Sequence, residues 1–491
     1  LGELRGLGVA MLQSNGINES LGLCDLSAQL QQSGAVTRLF LRREEPNLVR
    51  RLREFAPRLT VVPCDLLGHN SALSLARLAK RTLGDATTTL LGGTHPTFFS
   101  NVVRQEGVDV AFAGEAEGVV VDVLAALRDG RDPRDISNLV FRANGGCQRN
   151  PLRPVLQNLD EMPLPDRELY YRYPFMSSFP AKKFATSRGC GNSCGYCFNP
   201  SYRALLKEGA HFVRRKSPER VVREIAEVRR RHRLEVVHFS DDLFSSGAAW
   251  TEQFTETYRD KVGIPFSCNT VASTLDEQTV RRFKDAGCRI LAIGVEVADD
   301  RVRQEALNKP VSRDDINRAA ALIKAAGIKL VTFNILGVPW IPPDGDLDAL
   351  ELNQRLGVDH TRVTELVPFP VSRVATRLIA DGILAADYEE RIYEVPDIPR
   401  WPAATLFRRA APERLTRLYW LWALLLHFRV EKRWAQRLIN SRWSMALAPI
   451  SFAIGLLAEK RVFGLGWADG LRYFWHVANP AFKTSNYVSF V

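Results

Sequence analysis

No uncharged apolar run in this 491-residue chain is longer than the 14 residues from 445 to 458, and that run is interrupted by Pro449. It is too short to cross a bilayer. Nothing near the start reads as a charged segment, an apolar stretch and a cleavage site, so no secretory signal is expected; the first residue, Leu1, suggests a trimmed start. The eight cysteines lack the paired rhythm of a disulfide framework, which excludes the small secreted scaffolds. Five of them, Cys24, Cys64, Cys147, Cys268 and Cys288, are scattered and read as small core residues.

What is present suits a large globular chain. Apolar residues make up 46% and charged residues 25%, enough for three domains of ordinary size. The net charge of +11 is unevenly spread: residues 401–491 hold thirteen Lys and Arg against four Asp and Glu. The basic signal therefore belongs to the tail.

The other three cysteines, Cys190, Cys194 and Cys197, stand in Ser187-Arg188-Gly189-Cys190-Gly191-Asn192-Ser193-Cys194-Gly195-Tyr196-Cys197-Phe198. Three thiolates on one short loop can hold three irons of a four-iron cluster and leave the fourth iron open to a chelating ligand. The rival is a zinc site of three cysteines and a histidine. No histidine stands beside the loop, and His211 lies beyond it. A thiolate-bound iron cluster requires a reducing compartment, so a cytoplasmic protein is expected.

Around the loop the chain reads as α/β. Short apolar runs at 7–12, 37–41, 59–63, 88–92 and 108–113 alternate with helical patterns near 19–33, 44–55, 70–82 and 117–128, the layout of a Rossmann-like doubly wound sheet over 1–135. Ligands bind such sheets at the strand ends. Three loops fall there: Ser14-Asn15-Gly16, Gly92-Gly93-Thr94-His95-Pro96-Thr97 and Gly114-Glu115-Ala116-Glu117-Gly118. Residues 136–180, with Asn144-Gly145-Gly146, read as a hairpin and linker. Strands near 184–187, 235–240, 266–270, 289–295, 328–335 and 361–367, separated by five helical stretches, predict a partial (β/α)6 barrel over 181–380, with chemistry at the strand ends. A helical domain is expected over 381–491.

Those strand ends carry Ser240-Asp241-Asp242, Gly294-Val295-Glu296 and the Asn334 to Pro339 stretch. Paired carboxylates there can meet an ammonium group, although Asp242 could instead cap the next helix and Glu296 could bridge a local arginine.

The CxxxCxxC spacing with Tyr196 before the last cysteine resembles the radical S-adenosylmethionine (SAM) enzymes, and the likeness extends through the following 180 or so residues. With the GGxHPT and GExEG runs ahead of it, the chain is similar to the cobalamin-dependent subgroup. That resemblance implies three cofactors: a 4Fe-4S cluster on Cys190, Cys194 and Cys197, SAM on its open iron, and cobalamin in the first domain. It implies cobalamin contacts from Ser14, Asn15, Gly16, Gly92, Gly93, Thr94, His95, Thr97, Gly114, Glu115, Glu117 and Gly118, with Leu66 and Leu67 under the corrin. The first-strand loop lacks Asp-x-His-x-x-Gly, so no histidine below cobalt is expected there; His69 and His95 are nevertheless in loops of this domain. Around SAM the resemblance places Tyr196, Phe198, Ser240, Asp241, Asp242, Glu296, Asn334 and Gly337. One departure stands out: relatives commonly have an arginine soon after the third barrel strand, where this chain reads Asn269-Thr270-Val271-Ala272-Ser273.

The activity implied is methylation of an unactivated carbon, or less often phosphorus, of a small molecule, with an external flavodoxin- or ferredoxin-type electron donor. The alternatives are ring closure or oxidation without net methylation, and a cobalamin-binding regulator with a vestigial cluster. In the tail, seven of nine tryptophans lie between Trp401 and Trp475 among arginines, on amphipathic helical spacing over 404–477. That composition suits a helical cap on the barrel mouth, or a peripheral contact with a membrane surface. No RNA-binding module follows the barrel, so no nucleic acid partner is expected.

Overall fold

The computed structural model describes residues 3–14, 19–65, 68–143, 145–206, 211–342, 344–369, 371–394 and 412–478. The first sheet holds β1 (Gly8–Gln13), β2 (Val36–Leu41), β3 (Leu59–Pro63), β4 (Thr88–Gly92), β5 (Val110–Phe112), β6 (Leu139–Ala143) and β7 (Gly146–Arg149), in the order β2-β1-β3-β4-β5-β6-β7. The first five are parallel. The β6–β7 hairpin is antiparallel and pairs onto β5, so the sheet runs on through Arg149.

Both faces of this sheet are covered, which is why its strands read as nearly continuous apolar runs. Alternate residues go to opposite cores: Val9, Met11, Val61 and Leu90 pack under helices Leu21–Gln32 and Val119–Arg128, whereas Ala10, Leu12, Val62 and Leu91 face helices Leu48–Phe55 and His69–Leu83.

The second sheet is all parallel. Its strands are β8 (Ala181–Phe184), then, past the short antiparallel pair β9 (Ser187–Arg188) and β10 (Arg214–Arg215), β11 (Val236–Phe239), β12 (Phe266–Thr270), β13 (Cys288–Glu296), β14 (Lys329–Leu336) and β15 (His360–Glu365). They lie in the order β15-β14-β13-β12-β11-β8 with β8 and β15 at opposite edges, an open half-barrel. The first barrel strand lies three residues ahead of the 184–187 expected from sequence. Ser187 and Arg188 pair instead with Arg215 and Arg214 and steer the chain into the cysteine loop. Outside the sheet, Phe239, Phe244, Phe254, Tyr258, Phe266 and Phe283 are fully buried against one another and the covering helices. Burying each ring contributes about 2–3 kcal/mol.

Inside the barrel the side chains form layers. At the strand starts, Ala181, Ile290, Ala292 and Val331 pack against Val462, Phe463, Leu465 and Tyr473 of the C-terminal helices. Those helices are Pro412–His427, Lys432–Asn440, Ala448–Phe463 and Trp467–Ala478. They are fastened by buried polar ties: Arg362 pairs with Glu459, Tyr473 donates to Glu459 at 3.2 Å, and the Trp422 indole donates to Thr361 at 2.7 Å. The described tail therefore plugs the end of the barrel where strands begin, not the mouth where they finish. One further expectation fails: Cys147 is exposed on β7, whereas Cys24, Cys64, Cys268 and Cys288 are buried.

Candidate active site

The cysteine loop leaves β9 through Gly189, whose φ of +84° and closeness to the Phe212 carbonyl (2.5 Å from an added Cβ) admit no side chain. It is pinned from several sides. Gly195 N–H donates to Leu307 O at 2.7 Å, Val374 N–H donates to Gly195 O at 3.0 Å, and Arg203 donates to Gly191 O and Ser193 Oγ. Cys197 N-caps helix Phe198–Leu205, its sulfur accepting from the Asn199 N–H at 3.5 Å and from Asn199 Nδ2 at 3.6 Å. The Asn192 backbone favours the charged form of Cys190, and Lys309 favours that of Cys194.

Each sulfur thus has beside it a group that favours its charged form, the surroundings in which cluster thiolates are found. Burial pushes all three thiols up, Cys197 to about 12, so a metal bound there would have to displace their protons. Among the described residues, no three His, Cys, Asp or Glu side chains converge to hold one metal ion. Zinc requires such convergence. A four-iron cluster does not, because each thiolate binds a different iron.

The acidic residues at the strand ends behave differently from one another. Asp241 is buried and spends both oxygens on the turn before the loop, accepting from the Thr186 N–H, the Thr186 hydroxyl at 2.7 Å and the Ser187 hydroxyl. Asp242 stays open to solvent within a wall of protein, and accepts from Asn199 Nδ2 at 3.0 Å. Burial raises its pKa, with Asp241 adding to the rise and Asn199 opposing it. It caps no helix, since the next one, Ala248–Lys261, begins at Gly247. Ser240 is tied to Phe184 O through both its N–H and its hydroxyl.

Glu296 sits at a β-bulge, in the left-handed region at φ +62°. Its partner is not an arginine. Lys309 Nζ lies 2.5 Å from Glu296 Oε1, and the Tyr196 hydroxyl donates to the same oxygen at 2.8 Å. An added Cβ at Gly294 would come within 2.2 Å of both Glu296 Oε1 and Lys309 Nζ, so this glycine makes room for the pair. A single π turn, Val302–Ala306, follows, in which fully buried Arg303 gathers the carbonyls of Val295, Val297 and Val311. Departures of this kind concentrate at functional sites.

Asn334 is not in the opening. Its amide is buried on the outer face of β14, hydrogen-bonded to Thr332 and Asn353. Gly337 follows β14 at φ +70°, its N–H held by Asp346. The lumen holds further polar groups, of which sequence reading named only Asn269. Lys183, Asn269 and Thr364 are half-buried there, although helices cover the sheet's outside. His238 Nε2 and Asn269 Oδ1 have no hydrogen-bond partner among the described residues. Burial beside Lys183 and Arg362 drives the His238 pKa well below its ordinary value.

In the first domain, the Thr97 hydroxyl donates to Gly93 O at 2.7 Å and accepts from Gly114 N–H at 3.0 Å, joining the two glycine loops. Gly92 lies flat under the Phe112 ring, which an added Cβ would penetrate, and Gly93 has φ +120°. His95 is fully buried between His69 and Phe99, with Nε2 3.1 Å from the Tyr393 hydroxyl; burial and His69 push its pKa well down. Ser14 is buried at the end of β1, whereas Asn15, Gly16, Leu66 and Leu67 lie outside the described residues.

Glu115 and Glu117 reach across to the barrel. Arg188, two residues before Cys190, pairs with Glu117 at 2.6 Å, Asp25 at 3.1 Å and Glu115 at 3.4 Å, and Arg214 pairs with Glu115. This clamp borders a cavity of about 390 Å³ lined by Gly92, Gly93, Phe112 and Gly114 on one side and Ser187 and Arg188 on the other. Bare backbone at the glycines gives a large flat group close access.

Two family models match these same regions: "B12 binding domain" over 8–124 and "Radical SAM superfamily" over 184–352. The chain belongs to the cobalamin-dependent radical SAM enzymes. Its cofactors are a 4Fe-4S cluster, SAM and cobalamin. Among curated relatives, the radical SAM enzyme is 24% identical to the uncharacterized methyltransferase PH0819 of Pyrococcus horikoshii over 68% of this chain and 72% of that one. It is 22% identical to cytidylyl-2-hydroxyethylphosphonate methyltransferase of Streptomyces wedmorensis, over 60% of each. With the anaerobic magnesium-protoporphyrin IX monomethyl ester cyclase of Synechocystis it shares 24% over 47% of each. Among solved structures, OxsB matches 99% of this chain and 77% of its own at TM-score 0.66 and 14% identity. TsrM of Kitasatospora setae matches 76% of each at 0.64 and 17% identity. Likeness at those identities establishes the fold.

Proposed function

We propose that this radical SAM enzyme transfers a methyl group to an unactivated carbon, or a phosphorus, of a small molecule. The observation that carries this reading is the cavity between the glycine loops of the first domain and the cysteine-loop strand, held by the Arg188 clamp. The methyltransferase names of two relatives, and the tryptophan substrate with which TsrM was solved, support it.

When bound, the cofactors supply a cobalt-carried methyl group and a 5'-deoxyadenosyl radical made with an electron from an external flavodoxin- or ferredoxin-type donor. The chain's own residues do the rest. Cys190, Cys194 and Cys197 hold the cluster, and Asn192, Lys309 and Asn199 stabilise their thiolates. Asp242 and Asn199 face the SAM methionyl group from the strand end. Glu296 acts through Tyr196, holding the cysteine loop against β13, and Lys309 pairs with that carboxylate. Gly92, Gly93, Gly114 and Gly118 offer backbone to cobalamin, while Glu115 and Glu117 set the domain spacing. Asn269 and Lys183 line the floor on which a polar substrate group rests. A reducing, cytoplasmic setting follows from the cluster.

The test is anaerobic turnover of the reconstituted enzyme with methyl-deuterated SAM and the small-molecule fraction of its source cells. Deuterated product with S-adenosylhomocysteine and 5'-deoxyadenosine is expected. Deoxyadenosine and a modified product without deuterium would replace this reading by the second one, ring closure or oxidation, which the cyclase relative favours. No SAM cleavage at all would overturn both.

A further inference from the structure

The helices that plug the barrel carry a second apolar face that the fold leaves uncovered. On helix Ala448–Phe463, Ala448, Ser451, Glu459 and Val462 form the buried row. Ile450 and Leu457, seven residues apart, lie on the opposite side and are 54% and 52% exposed. Aliphatic side chains on the side of a helix turned away from its buried row suit contact with a second apolar phase. Its neighbours repeat the pattern: Trp434, Trp443, Trp467 and Leu471 are 50 to 69% exposed. Exposed tryptophan on two helices and on the turn after the first of them is costly to leave in water without a use.

Charge narrows what covers this face. Residues 432–473 contain seven Lys and Arg and two acids, Glu459 and Asp469. Both acids are buried in ion pairs, with Arg362 and Arg233, so they present no negative charge outward, and the exposed Glu431 just ahead of them is paired with Arg433. The cations stand among the rings: the Arg437 guanidinium is 4.6 Å from the Trp434 centroid, Arg442 is 5.2 Å from Trp443, and the Lys460 ammonium is 3.9 Å from Trp467. A second copy of the chain would set arginine against arginine. Nucleic acid would satisfy the arginines but offers nothing to Ile450, Leu457 and Leu471.

We propose that this face docks on the surface of an anionic lipid bilayer, with tryptophans and aliphatic side chains at the headgroup boundary and the basic groups on lipid phosphates. None of the described helices is long and apolar enough to cross a membrane, so the contact is peripheral. Because these helices plug the strand-start end of the barrel, docking leaves the end with the cysteine loop facing away from lipid. The inference is independent of the proposed methylation.

The experiment is flotation of the full chain with vesicles of phosphatidylcholine alone or with about 30 mol% phosphatidylglycerol. Binding is expected to the anionic vesicles, at least about tenfold tighter than to neutral ones, and weakened by about 0.5 M NaCl. The triple variant Trp443→Ser, Leu457→Ser, Trp467→Ser, and separately Arg437→Glu with Arg442→Glu, should each weaken it about tenfold while circular dichroism stays unchanged. Failure to float, equal binding to neutral vesicles, or variants that float like the wild type would overturn the proposal. So would a dimer that the same substitutions dissolve, or retention on an oligonucleotide without flotation.

Discussion

At the strand-start end of the barrel, Val462, Phe463 and Leu465 fill the lumen and the charged pair Arg362–Glu459 is sealed beneath them. At the strand-finish end the lumen side chains Lys183, Asn269 and Thr364 stay half-buried, Glu296 is held at positive φ on a bulge, and His238 Nε2 and Asn269 Oδ1 have no hydrogen-bond partner among the described residues. One sheet thus carries a packed end and a strained, polar end. The packed end supplies the free energy that lets the other be built for ligands.

That contrast can be broken from either side. The largest effect is expected from Cys194→Ala, which should abolish cluster iron and deoxyadenosine formation while moving the melting temperature of the metal-free protein little. Phe463→Ala should do the reverse, costing about 3–5 kcal/mol in denaturant unfolding with the iron ligands untouched. Lys309→Met leaves Glu296 buried without its cation and should cost about 3–5 kcal/mol. Adding Glu296→Leu should restore much of that stability, and a double variant no better than the single would refute the pairing.

A pH scan reaches both domains at once. His95, His238 and His360 are held neutral by burial, with pKa values well below the ordinary range. The unfolded chain takes up protons on them below about pH 6.5 that the folded chain does not, so stability should fall as pH drops through that point, by about 1.4 kcal/mol per unit for each. A melting temperature flat from pH 7 to about 5.5 would contradict their burial as neutral imidazoles. The smallest effect is expected at the outer tail face: Trp467→Ser should change stability by less than about 0.5 kcal/mol.

Much of this architecture is legible in the chain, because strand and helix patterns are local. The runs at 59–63, 88–92 and 266–270 coincide with β3, β4 and β12. The cysteine spacing is likewise short-range. What escapes is pairing at a distance. Nothing near Glu296 announces Lys309, which returns to it only after a π turn, and nothing in the GExEG run says that its acids serve Arg188 more than 70 residues on. Asn334 shows a different limit: alternation says that a side chain changes face at each residue, but not which face looks into the barrel. The Trp- and Arg-rich composition of the tail was visible, but the end of the barrel it plugs was not.

The most direct test of the whole account is iron and sulfide analysis with electron paramagnetic resonance on anaerobically reconstituted protein, wild type beside Cys194→Ala. The wild type should hold about four iron and four sulfide per chain, with a reduced-cluster signal that SAM perturbs. The variant should lose that signal. Wild-type protein without iron, or with zinc in its place, would contradict the assignment of Cys190, Cys194 and Cys197.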